Sequence, residues 1–132
     1  VIVSGQFNKK FHATLADILD SNKKIEVEVG KNLVILDTKK MDIEGIKIML
    51  KLLDSDYPKT DKEPSKKRTK IPVERLRSFY EIFGYPASMT EISGDQLSSH
   101  LVWIQSVCIY NNITLHDRKW DALFEKAKEY DN

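Results

Sequence analysis

The sequence predicts an α/β domain, a parallel sheet carrying helices on its faces, on three observations. Short β-type runs recur at Val1-Ile-Val3, Ile25-Glu-Val-Glu-Val29 and Leu33-Val-Ile-Leu36. Between and after them, apolar residues repeat at helical spacing. Strands that alternate with helices are the ordinary signature of this fold class.

Taken in order, Val1-Ile-Val-Ser-Gly5 reads as a buried strand ending in a turn. Phe11, Leu15, Ile18 and Leu19 then mark a helix over about 12–21. Residues 25–29 alternate as a half-buried strand, and 32–37 form a second, more apolar one. Asp42 is a suitable N-cap for the next helix, whose stripe is Ile43, Ile46, Leu50 and Leu53. Gly45 inside that helix costs stability and marks a close approach by a neighbour or ligand. Residues 54–70 hold no large apolar side chain except Tyr57, and Pro58 and Pro64 interrupt them, so a solvated, mobile loop is expected.

After Pro72, the residues Leu76, Phe79, Tyr80 and Phe83 line one side of a short helix that stops at Gly84-Tyr-Pro86. Thr90-Glu-Ile-Ser93 reads as a short strand. Residues 96–110 make a strongly apolar helix through Leu97, Leu101, Ile104 and Cys108, with Val102, Trp103 and Ile109 beside them, which should be central. A last helix over about 117–129 packs through Trp120, Leu123, Phe124 and Ala127. There are no internal repeats. One connection resists the parallel sheet: Val29-Gly-Lys-Asn32 is short enough for a hairpin, whereas a parallel crossover is longer. The hairpin alternative makes 25–37 the wing of a winged-helix domain.

At 132 residues the chain has room for one domain, expected over 1–132. It begins inside an apolar run, as a domain cut from a longer protein would. A single cysteine excludes a disulfide framework and a Cys-rich zinc site, and suits a reducing compartment. No apolar run approaches membrane-spanning length, so a soluble, intracellular protein without membrane contact is expected. Net charge is +1, unevenly spread. Residues 59–70 hold six basic and two acidic side chains, which leaves 15 basic against 18 acidic elsewhere. A mildly acidic body with one basic loop argues against a whole-domain grip on nucleic acid.

Catalytic groups are hard to assemble. His12, His100 and His116 have no His or Cys partner at ligand spacing, so no metal is expected. Cys108 lies on an apolar helix face as a small hydrophobe rather than a nucleophile. No Gly-rich phosphate loop, paired acidic motif or Ser-His-Asp grouping is readable, so neither enzyme nor cofactor is expected. Lys66-Lys-Arg-Thr-Lys70 reads as a solvated tether, or as a nuclear-import or phosphate-touching segment.

One constellation points to a family. Val3-Ser4-Gly5 closes the first strand, Leu33-Val-Ile-Leu36 precedes Gly45-Ile-Lys47-Ile-Met-Leu50, and Gln105-Ser-Val107 is followed by Asn112-Ile-Thr-Leu115. Together these resemble a BRCT domain, in particular the phosphate-binding repeat of tandem-BRCT checkpoint and repair proteins. The resemblance covers 1–53 and 99–120 and leaves 54–98 as an insertion. It implies a four-stranded parallel sheet flanked by three helices, and a phosphate held by the Ser4 hydroxyl, the Gly5 N–H and the Lys47 ammonium. A dianion favours charge-assisted donors, and a glycine lets the backbone come close.

The function expected on this resemblance is a nuclear protein–protein interaction module. It would bind a phosphorylated Ser/Thr segment of a partner in the DNA-damage response or chromatin regulation, as a checkpoint adaptor. The alternatives are a phosphate-independent scaffold docking through Leu76, Phe79, Tyr80 and Phe83, and a winged-helix nucleic-acid binder using 25–37 and 59–70. A weak nucleic-acid contact through the basic loop and a homodimer stand as further partner arrangements.

Overall fold

The computed structural model describes residues 5–21, 23–115, 121, 123 and 125. Along them run α1 (Gly5–Leu19), β1 (Lys24–Val29), β2 (Asn32–Asp37), α2 (Ile43–Leu53), β3 (Lys59–Thr60), α3 (Val73–Phe83), β4 (Tyr85–Pro86) and α4 (Gly94–Tyr110). Two 3-10 turns, Thr38–Lys40 and Met89–Glu91, lie between them.

The parallel four-stranded sheet is overturned. β1 pairs antiparallel with β2, from Lys24 opposite Asp37 to Val29 opposite Asn32, and β3 pairs antiparallel with β4. No parallel pair occurs among the described residues. The reason is the two-residue connection. Gly30 adopts φ +60° as the first residue of the Gly30-Lys31 turn, the backbone of a tight hairpin. Two residues cannot carry a strand back to its starting end. Other expected strands are displaced too: Gly5 opens α1, while 90–93 contribute to a 3-10 turn and to the cap of α4. Residues 1–4 and most of the expected last helix fall outside the described residues.

Helical periodicity governs the rest. α1 starts earlier than its stripe suggested because Phe7 joins Phe11, Leu15 and Ile18 on one buried face. α2 is capped by Asp42, whose side chain accepts the Gly45 N–H, and it buries Ile46, Met49, Leu50, Leu52 and Leu53. α4 is central, as expected: Leu97, Leu101, Ile104 and Cys108 are each exposed by 1% or less. Ser93 and Gln96 close its first turn as a reciprocal capping box. Val102 and Ile109, expected beside that face, are exposed instead. The hairpin lies on the core through Ile25, Val27 and Leu36, and its solvent face carries Glu26 and Glu28.

No helix of the described residues is long and apolar enough to cross a membrane.

Candidate functional site

A groove of about 1170 Å³ opens between α2, segment 60–71 and α3, and extends to Ser88 and Glu91. Segment 61–70, called the strap below, is tied to α2 at its far end by one carboxylate. Asp42 Oδ1 accepts the Gly45 N–H and the Thr69 hydroxyl, both at 2.8 Å, and Oδ2 accepts the Lys70 N–H at 2.9 Å. Burial pulls the Asp42 carboxyl up, but these three hydrogen bonds outweigh it and hold the group below its ordinary value. The close approach signalled by Gly45 is therefore real. A Cβ there would meet Asp42 Oδ1 at 2.9 Å, Thr69 Oγ1 at 3.0 Å and Ile71 Cδ1 at 3.2 Å.

The near end is held as well. β3 pairs with β4, and the buried Tyr57 donates its hydroxyl to the Ala87 carbonyl at 2.8 Å. Lys59 reaches back to the carbonyls of Lys51 and Leu52 at the end of α2, where a cation complements the helix dipole. The 54–70 segment is thus pinned on both sides of the groove, with exposed charges on the strap between.

On the α2 wall, Lys47 and Lys51 stand one turn apart on one face, and Lys67 faces them from the strap. Lys67 makes a long contact of 4.0 Å to Glu44, the carboxylate nearest this group. Burial, then the charge of Lys67, lowers the Lys47 pKa, and Glu44 offsets it in part. At Lys51 burial is again the largest cause, followed by Lys47 and Lys67, and together they bring its ammonium to about 7. The His12 ring of α1 is lowered by burial and by Lys47, and its Nε2 has no hydrogen-bond partner among the described residues. Seven basic and five acidic side chains line the whole groove, and the excess lies on α2 and on the strap, where Lys62, Lys66, Lys67 and Arg68 outnumber Asp61 and Glu63. The opposite wall offers Leu76 and Tyr80, with Tyr85 and Pro86 at one end.

Behind the end of α2 sits a second polar group of another kind. His100 Nδ1 lies 2.7 Å from Asp54 Oδ2, and the two residues are 1% and 3% exposed. Burial lowers the His100 pKa, and the hydrogen bond and charge of Asp54 only partly oppose it. The ring is therefore neutral, donating Nδ1–H to the carboxylate in a hydrogen bond rather than an ion pair. Tyr57 and Trp103 close over the ring, with centroids at 4.7 and 6.0 Å.

Of the residues expected to hold a phosphate, Lys47 is on the groove wall, Gly5 lies in the first turn of α1 rather than at a strand end, and Ser4 is outside the described residues. Leu76, Phe79, Tyr80 and Phe83 are half-buried against the core, and two of them also line the groove. Cys108 is buried, and burial pushes its thiol up to about 12, which suits a packing residue. Among the described residues no cluster of His, Cys, Asp or Glu could hold a metal ion.

Lys51, Glu44 and the Asp42–Thr69 tie complete the site beyond the residues that the sequence singles out. The lysine pair is legible in its i, i+4 spacing along the edge of the apolar stripe of α2. The tie joins residues 27 apart and leaves no local signal. No family model matches the chain, and comparison with curated proteins and with solved structures finds no match either.

Proposed function

We propose that this chain is a protein-interaction module whose groove captures a phosphorylated Ser/Thr segment of a partner protein. The observation that carries the reading is the α2 wall: Lys47, Lys51 and Lys67 crowd together with Glu44 as their nearest carboxylate. Sheltered like charges raise one another's energy, and a dianion placed among them relieves that cost. The volume suits a short peptide, since pockets for small ligands run to about 1,000 Å³. The apolar side chains of Leu76 and Tyr80 would hold residues beside the phosphate. Five acidic side chains among the lining favour a short segment carrying one dianion over a polyanion. Exposure of Lys66, Lys67 and Arg68 supports the nuclear setting expected from the sequence.

The test is fluorescence polarisation with a mixed-sequence phosphoserine and phosphothreonine peptide library, and with the same library after phosphatase treatment. The phosphorylated library is expected to bind at least about tenfold tighter, with Lys47→Met and Lys51→Met each removing most of that difference. Equal binding of the two libraries rejects the reading. Duplex DNA that binds with a steep salt dependence, unaffected by Lys51→Met, would replace it with a nucleic-acid function.

A further inference from the structure

The hairpin has two edges, and the protein treats them differently. At the β1 edge, Asn111 imitates a neighbouring strand: its Oδ1 accepts the Glu26 N–H at 2.8 Å and its Nδ2 donates to the Glu26 carbonyl at 2.9 Å. The backbone groups of Glu26 therefore point away from β2. Ile35 stands opposite Glu26, so by the alternation of an antiparallel ladder its N–H and C=O point out of the other edge. Leu33 and Asp37, two residues to either side, do the same. No hydrogen bond from a described residue outside the hairpin reaches the backbone of Leu33 or Ile35. Their side chains are also uncovered, at 51% and 58% exposure. An open edge with apolar side chains is a template for another strand.

We propose that β2 pairs with β2 of a second copy of this chain, antiparallel about a twofold axis at Val34, joining two hairpins into one four-stranded sheet. The choice of occupant follows from the residues. With the axis at Val34, Leu33 faces Ile35 of the second copy, and Ile35 faces its Leu33. Lys31 then faces Asp37 of the second copy, and symmetry repeats the pair. All of these have backbone groups directed at the shared edge or lie in the turn beside it, so the two Leu–Ile pairs exchange about four hydrogen bonds. Moving the axis to Leu33 sets Lys31 against Ile35, and moving it to Ile35 sets Leu33 against Asp37. Only the Val34 register matches apolar with apolar and cation with anion. On the inner face it also brings the half-buried Val34 beside its own copy, which extends the core under the joined sheet. This interface is separate from the groove, and the two proposals stand independently.

The experiment is sedimentation equilibrium of the full chain over a roughly hundred-fold range of concentration. The expected mass rises from one chain to two. Lys31→Asp sets aspartates against each other twice, and Asp37→Lys sets lysines against each other twice. Each variant alone should associate at least about tenfold more weakly. An equimolar mixture of the two restores both opposite-charge pairs and should recover the two-chain mass. Asp37 also accepts the Lys39 N–H at 3.1 Å, so circular dichroism must show that Asp37→Lys is folded. Ile35→Lys tests the edge without touching that cap and should remain at one-chain mass. One-chain mass at every concentration overturns the proposal. So does a dimer that Ile35→Lys leaves intact, or a mixture no better associated than its components.

Discussion

Two polar groups lie along α2, one at its C-terminal end and one on its groove wall, and their chemistry runs in opposite directions. At the C-terminal end, Asp54 and His100 are almost fully buried, and each answers the other at 2.7 Å. In the middle, Lys47 and Lys51 face a wide groove, share one carboxylate with Lys67, and repel one another. A buried polar pair whose members bond each other specifies packing, although His100 Nε2 has no hydrogen-bond partner among the described residues. Sheltered groups of one sign that do not satisfy themselves store energy that only a ligand or a proton loss releases. The difference separates the scaffold of this protein from the part open to binding. Loss of the first should destabilise the chain, and loss of the second should change what it holds.

The largest effect is expected at the buried pair. Asp54→Ala leaves His100 without its acceptor and removes the acceptor for the Asp56 N–H as well. Losing one member of such a buried arrangement costs about 3 kcal/mol. The urea midpoint should fall accordingly, while phosphopeptide affinity per folded molecule stays at the parent value. Lys47→Met should give the reverse pattern, with stability held and affinity lost. If Asp54→Ala weakened binding without lowering the midpoint, the division between scaffold and site would be wrong.

Gly45 sharpens the comparison, because it joins the strap to α2. An exposed helical Gly→Ala substitution ordinarily stabilises by up to about 1 kcal/mol. Here the new methyl meets the Asp42 carboxylate and the Thr69 hydroxyl at 2.9 and 3.0 Å, the two groups that tie the strap down. We expect Gly45→Ala to destabilise by about 1–2 kcal/mol instead. Trypsin cleavage within Lys66-Lys67-Arg68 should accelerate more than global unfolding explains. A stabilised variant with unchanged cleavage would show that the strap is not held by this contact.

How much of this was readable in advance follows the range of each interaction. The stripes of α1, α2 and α4, the Asp42 cap and the meaning of Gly45 are local, and each was legible. The strand pairing was legible too, in the two-residue Gly30-Lys31 turn, but the family resemblance pointed the other way. Chain length between strands is a covalent limit, and it should outrank a resemblance carried by scattered tokens. Lys47 enters only through the BRCT resemblance; it lies on the groove wall, while Gly5, expected beside it at a strand end, lies in α1. Asp54 and His100 are 46 residues apart, and nothing near either one announces the other. Such pairs become visible only when the helices that carry them are packed.

The smallest effect is a pH dependence, and it distinguishes a strained site from a merely exposed lysine. Lys51 falls from 10.5 to about 7, so between those values the unfolded chain holds a proton that the folded chain has released. Stability must therefore rise with pH across that window, and the full cost of the buried ammonium is present below about 7. Lys51→Met removes the cost. At pH 6 the variant should be the more stable protein, by less than about 1 kcal/mol after solvent screening, and the advantage should vanish near pH 10. Binding a phosphate dianion acts on the same group with the opposite sign, since the ammonium form is the one it favours. Around pH 8 the parent should take up a proton as it binds. Calorimetry of phosphopeptide binding in two buffers of different ionisation enthalpy reads that uptake directly. Lys51→Met should abolish most of it. A parent that binds with no proton uptake would leave Lys51 as a structural cation and place the phosphate elsewhere in the groove.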